Sequence, residues 1–401
     1  MIPGGQACVS DVDGSWFSRS LHVPWSAKRQ VETQLDGYCE LLRAYFERTG
    51  ITDVNLHLSG SLARQEPAVS VASSGVAQLA SDVDLVAVTD GEPDVSHPVH
   101  GVVAEMRRRA PEMVTTMFVV RAANLARVHS LFGRDLWIGR LRPIVHRFEA
   151  EHFPEPPAGR RELFESLVHH LAGYLLLPAA DSAPPHSRVT TAFQRTKLAL
   201  DALRMFLVPM PGQPVSFADL PASHPTSAMR EVIARAELES LIEAREMSLP
   251  DAVTPQRTEE LVVGGLRGVF GVPESADDTV LLDRLAARAD GCSHVLGLFQ
   301  VALAALFLLV RADSGNQRAT VDLFLGTWRR LDRSLLVEAR AVADAVTHLD
   351  PRLIATADRG TRETVFDAMR LLRLDYYHYL GPHNFGAKPV PEYRAFAGDP
   401  A

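Results

Sequence analysis

The chain is expected to be an α+β protein in which a small mixed sheet with flanking helices is followed by a larger, all-helical domain. Three observations predict this. Apolar residues alternate with a period of two only in the first third of the chain, as a half-buried strand requires. From about Leu136 the strand-like alternation disappears and the spacing becomes three and four residues, the period of a helix. Prolines then punctuate the remainder at 154–157, 178–185 and 209–225, where the ring fixes φ and removes a backbone donor. At 401 residues the chain is also too long for one ordinary core. Two domains are therefore expected, at 26–150 and 151–401, behind an N-terminal extension over 1–25.

From Ser26, the residues Val31, Leu35, Tyr38, Leu42 and Tyr45/Phe46 recur at helical steps, and Gly50 supplies a stop, which predicts an amphipathic helix. Val54, Leu56 and Leu58 alternate with Asn55, His57 and Ser59, a strand that ends in the Gly60-Ser61 turn. A polar piece with Arg64, Gln65 and Glu66 follows. Beyond Pro67, VSVASSGVAQL predicts a hairpin turning at Ser74-Gly75. A second main strand is expected at 83–89, a helix at 102–109 and a β-branched third strand at 114–120. Further helices are expected at 160–177, 190–207, 227–247, 258–269, 278–289, 293–312, 319–331, 334–349 and 361–380. The apolar run 295–310 is shorter than the roughly 20 residues a bilayer needs, so it is expected to be a helix buried on all sides. Trp25 and Trp137 are expected to anchor the sheet unit, and the tail rings Tyr376, Tyr377 and Tyr379 to dock the last helix, with stacking on a ligand ring as the other reading.

A hydrophobic share of 46% with 22% charged residues is ordinary globular composition and argues against wholesale disorder. A net charge of −8 provides no general field for a polyanion, so a nucleic-acid partner is disfavoured and a small-molecule or protein partner is expected. Cys8, Cys39 and Cys292 lack CxxC spacing, which indicates neither a disulfide framework nor a structural zinc. The opening MIPGGQACVSDVDGSW has no basic segment followed by an apolar one, so no secretory signal is expected and the cytoplasm is the expected compartment.

The stretch 54–88 carries the chemistry. A glycine directly after a strand lets the backbone approach a ligand, and exposed amides there, with the Ser61 hydroxyl, can hold phosphate oxygens. Asp82 and Asp84, two apart on a strand, point to one face and can present both carboxylates to one hard cation such as magnesium. Set among Val83, Leu85, Val86, Ala87 and Val88, such a pair repels itself unless a cation neutralises it or it faces open water.

Together LSGSLAR and SDVDLVAV resemble the nucleotidyltransferase superfamily typified by DNA polymerase beta, including the aminoglycoside nucleotidyltransferases. The family pattern is a strand, then Gly-Ser, then an acidic-x-acidic pair opening the next strand, with a third acid on a later strand. The likeness covers roughly residues 26–135. It implies a nucleotidyltransferase-fold sheet and magnesium-dependent transfer of a nucleoside monophosphate from a nucleoside triphosphate, ATP being the commonest donor, to a small-molecule acceptor with release of pyrophosphate. Gly60 and Ser61 would cradle the β- and γ-phosphates, and Asp82 and Asp84 would hold the metal that bridges them.

Two departures from the pattern matter. The gap between Ser61 and Asp82 is long, which the expected hairpin accounts for at little cost. The strand 114–120 carries Thr115 and Thr116 where the third acid is expected. Glu112, just before it, can substitute as a catalytic acid; otherwise the enzyme works with two acids, or the domain binds nucleotide or a partner without catalysis. A phosphate or carboxylate acceptor arrives ionised and needs no base. Asp135 is a poorer substitute on sequence order. Lys197, on the expected helix 190–207, is either a triphosphate ligand or an exposed partner of Asp201. Arg195 and Arg188 are weaker candidates of the same kind. Arg64 either reaches a phosphate or is solvated. His169-His170 lacks HExxH context and is not expected to bind metal. A polymerase or RNA-tailing enzyme would need a basic track that this chain lacks.

Overall fold

The computed structural model describes residues 15–91, 96–128, 130–149, 153–174, 185–250, 252–292, 295–311 and 317–331. The helices expected at 334–349 and 361–380, the aromatic tail and Cys8 lie outside these residues. The protein is α+β, with a small mixed sheet and a helical region.

Helix α1 (Trp25–Thr49) buries Val31, Leu35, Tyr38, Leu42 and Phe46 and ends at Gly50, whose φ of 66° suits a left-handed cap. Strand β1 (Val54–Leu58) leads into the single turn α2 (Gly60–Ala63). β2 (Val69–Val71) and β3 (Ala77–Leu79) form the expected hairpin, with Gly75 at φ 82° in its turn. β4 (Val83–Thr89), α3 (Val102–Arg109) and β5 (Thr115–Arg121) complete the unit. The main sheet has the order β1-β4-β5, with β1 antiparallel and β5 parallel to β4. Alternation divides it into two faces. Leu56, Leu85, Ala87, Met117 and Val119 pack with α1 and α3, whereas Val86, Val88, Phe118 and Val120 pack with Leu136 of α4 (Leu131–Gly139).

The helical region comprises α5 (Arg160–Tyr174), α6 (Pro185–Arg204), α7 (Leu220–Ser223), α8 (Met229–Val232), α9 (Arg235–Glu246), α10 (Pro255–Phe270), α11 (Asp278–Asp290), α12 (Val295–Arg311) and α13 (Gln317–Leu331). Its separate core includes Phe164, Leu198, Leu203, Leu241, Leu266, Leu303 and Phe324. Residues 301–307 of α12 are all buried, as its continuous apolar sequence predicts. Among the described residues no helix is long and apolar enough to cross a membrane.

α10 and α6 cross where Gly265 lies against Ala202; an added Cβ would stand 2.6 Å from the Ala202 carbonyl oxygen and 2.9 Å from its Cα. Both are backbone atoms and cannot swing aside. Gly265→Ala is therefore expected to destabilise the protein by about 1–3 kcal/mol in a urea melt. Gly37→Ala, on α1 with nothing within 4 Å of the added Cβ, is expected to stabilise by about 0.5–1 kcal/mol.

Several expectations are corrected. The expected helix 227–247 is two, because Ile233 is extended at φ −143°, ψ 141°. Its carbonyl faces the His224 ring at 2.8 Å, and Arg257 donates to the Val232 carbonyl, so the break leaves neither acceptor unpaired. α6 starts at Pro185, since proline fits a first helical turn, and ends at Arg204, after which i→i−3 bonds tighten the chain before Pro209. Helix α4 shows no clear period in sequence and is capped by Ser130, which accepts from the Gly133 amide at 3.1 Å. Trp25 is no anchor: it is 74% exposed, under the Arg29 guanidinium. Trp137 is half-buried and donates to the Phe153 carbonyl at 3.2 Å. Of the expected extension, residues 15–25 are part of the sheet unit, with Phe17 and Val23 in its core.

Candidate functional site

Asp82 and Asp84 lie at the start of β4 on the face shared with Val86, beside the β1–α2 junction. The Ser59 amide donates to the Asp84 carbonyl at 2.9 Å, which docks the end of β1 on β4. Gly60 follows with φ 60°, a conformation in which glycine avoids the usual Cβ penalty. The absent side chain also makes room for the Asp84 carboxylate, since an added Cβ would stand 2.2 Å from Oδ2. The Gly-Ser turn and the aspartate pair, far apart in sequence, thus meet through one backbone bond and one missing side chain.

The parallel register pairs Asp84 with Thr116, whose hydroxyl donates to Asp84 Oδ1 at 2.7 Å. The threonine occupies the place on β5 where the third acid was sought. Glu112 is exposed in the turn before β5, so the register opposes Thr116, not Glu112, to Asp84. Asp82 is half-buried. Desolvation and the neighbouring Asp84 push its carboxyl up to about 6, and the Lys197 ammonium partly offsets this. Lys197 is half-buried on α6 and brings a positive charge from the helical region towards the pair.

Two carboxylates on one face suit a cation. Among the described residues there is no group of three or more His, Cys, Asp or Glu side chains able to hold a metal ion. A pair fits magnesium better than calcium or zinc, because magnesium keeps several waters and takes one or two carboxylates together with substrate phosphates.

The remaining candidates separate from this pair. Arg64 is buried, with Nε 2.5 Å from Glu66 Oε1 and a second ion pair to Asp135, so its guanidinium serves the interior rather than a phosphate. Asp135 is likewise buried on α4, where desolvation raises its carboxyl to about 6 against the pull of Arg64. Lys197 is not the exposed partner of Asp201: that carboxylate is fully buried, 2.7 Å from Arg204 and 3.0 Å from His170 Nε2. Burial opposes the Asp201 charge, but His170, Arg204 and Lys197 hold it below the usual carboxylate range. Arg195 is buried on α6, and the side chain of Arg188 lies outside the described residues.

Sequence reasoning missed the buried group formed by Glu66, Asp135, Asp201, Arg204 and Arg245 around Phe217. The available signal was a charge inside an apolar helical run, Asp201 in KLALDALRMF, because a buried charge demands a partner. Comparison of the chain with protein-family models, curated proteins and solved structures found no match.

Proposed function

We propose that the chain is a magnesium-dependent nucleotidyltransferase, built on the fold of the superfamily its motifs resemble, that moves a nucleoside monophosphate from a triphosphate such as ATP to a small-molecule acceptor. The observation that carries this reading is the seating of Asp84 against Gly60, which unites the Gly-Ser turn and the paired carboxylates in one site. The three-stranded order, with β1 antiparallel and β5 parallel to the aspartate strand, is compatible with it.

Asp82 and Asp84 would hold the magnesium, which when bound offsets charge on the triphosphate and on the leaving pyrophosphate. Gly60 and Ser61 offer backbone amides at the start of α2, which have no intrahelical acceptor, together with the Ser61 hydroxyl. Lys197 supplies a cation from the facing wall. In transfer, an already ionised acceptor oxygen, as on a phosphate or carboxylate, attacks the α-phosphorus, the bond from that phosphorus to the bridging oxygen breaks, and the oxygen leaves with the pyrophosphate. Domain interfaces favour small-ligand sites, so on this reading the acceptor is expected between the sheet unit and the helical region.

A second reading has its own observation. Thr116 opposite Asp84 is no base at neutral pH, which favours a protein that binds nucleotide or a partner without transfer. Calorimetric titration with magnesium and a non-hydrolysable ATP analogue, followed by pyrophosphate release across hydroxyl, phosphate and carboxylate acceptors, tests both. Binding with release supports transfer; binding without release across all three classes supports the second reading; no binding removes transfer and leaves only partner binding. Lys197→Met is expected to weaken triphosphate binding about tenfold while leaving the melting temperature near that of the wild type.

A further inference from the structure

The backbone that follows the Gly-Ser turn is tied back onto it. The Arg64 amide donates to the Gly60 carbonyl at 3.2 Å and the Glu66 amide to the Ser61 carbonyl at 3.0 Å, with Gln65 between them at φ 62°. Whatever holds Arg64 and Glu66 therefore holds Ser61.

Their side chains run into the helical region. Glu66 Oε2 accepts from the Ser216 hydroxyl and, at 2.9 Å, from the Phe217 amide, while the Glu66 carbonyl accepts from Arg245 of α9. The guanidinium carbons of Arg64, Arg204 and Arg245 stand 5.8, 5.0 and 5.1 Å from the centre of the Phe217 ring. Three carboxylates, Glu66, Asp135 and Asp201, balance these cations, and all six charged residues are at most 7% exposed. Arg204 and Asp201 lie on α6, Asp201 one turn beyond Lys197.

We propose that this buried charge group, through Arg64 and Glu66, is a positioning device that fixes Ser61 relative to the helix carrying Lys197, so that both meet the same triphosphate. The proposal rests on the nucleotidyltransferase reading. Arg64 and Glu66 touch no substrate in it; they act through Ser61.

The test compares wild type with Glu66→Gln, which removes a charge, and with Ser216→Ala, which removes the hydroxyl link and the bond that hydroxyl accepts from the Ala218 amide at 3.1 Å but spares the charge balance. Each is titrated with manganese alone, followed by electron paramagnetic resonance, and with manganese plus a non-hydrolysable ATP analogue. The expected result is triphosphate affinity weakened about tenfold or more in Glu66→Gln and several-fold in Ser216→Ala, with affinity for manganese alone within about twofold of wild type. Unchanged triphosphate affinity in folded Ser216→Ala would overturn the proposal, as would equal loss of both affinities in that variant. If wild type binds manganese but no triphosphate, the nucleotidyltransferase reading itself fails, and this inference with it.

Discussion

Gly60→Ala is expected to remove magnesium-triphosphate binding, by about 100-fold or more, and to destabilise the protein by about 2 kcal/mol. Two effects coincide there. At φ 60° any L side chain is strained, and the new Cβ would fall 2.2 Å from Asp84 Oδ2 and 3.2 Å from its Cγ. Asp84 cannot withdraw freely, because the Thr116 hydroxyl holds its other oxygen at 2.7 Å. The carboxylate must turn away from the turn and break that bond, or the turn must move off β4. Calorimetric titration and a urea melt measure the two losses. Gly75→Ala separates them: it shares a positive φ, 82°, but meets nothing within 4 Å. It is expected to cost about 1 kcal/mol of stability and to leave ligand affinity unchanged. Equal affinity in Gly60→Ala and wild type would refute the placement of the Asp84 carboxylate in the site.

Asp82→Asn is expected to act in opposite directions on stability and on binding. Burial and Asp84 raise the Asp82 carboxyl from 3.8 to about 6 in the folded protein. A raised folded value means that the folded state holds this proton more tightly than the unfolded one. The resulting stabilisation is fully present below about pH 3.8 and is lost as pH rises through about 6. At pH 7 the ionised side chain therefore costs stability, and asparagine removes that cost. The metal-free variant is expected to be more stable than wild type by about 1–3 kcal/mol at pH 7, with the difference shrinking towards pH 4. Its affinity for the magnesium-triphosphate pair is expected to fall about 100-fold, and further in Asp82→Asn/Asp84→Asn. Melts at pH 7 and pH 4, with titrations at pH 7, measure this. A variant less stable than wild type at pH 7 would show that Asp82 is not held in an unfavourable ionised state.

Such a trade, stability given up where two like charges are held together, is the usual mark of a site shaped by a ligand rather than by packing. The Arg64–Glu66 pair shows the opposite economy: burial opposes the Glu66 charge, but the guanidinium holds that carboxyl below the usual carboxylate range. There the charges are paired with one another, and removing one partner leaves a buried charge uncompensated. Neighbouring carboxylates thus have different meanings according to what faces them.

The local features of this protein were legible in its sequence because they depend on neighbours in the chain. The two-residue alternation of Val54, Leu56 and Leu58, the helical spacing of Val31, Leu35 and Leu42, the Ser74-Gly75 turn and the facing of Asp82 with Asp84 all follow from backbone periods of 2.0 and 3.6 and from glycine's freedom at positive φ. Where local preference was weak, as at the break after Val232, the outcome was set by partners farther along the chain, such as Arg257, 25 residues on. The partners of each charged side chain were beyond the sequence for the same reason. Arg64 was an equally good phosphate ligand or surface cation until folding placed Asp135 and Phe217 beside it, and Lys197 could not be assigned to the aspartate pair before α6 met the sheet unit. By itself the sequence determined the secondary structure around Gly60-Ser61 and the common face of Asp82 and Asp84. Only the tertiary structure decided that Asp84 lodges in the space Gly60 leaves open, that Thr116 stands opposite it, and that Arg64 belongs to the interior, because contacts across tens to hundreds of residues arise from packing and charge pairing, which no local period encodes.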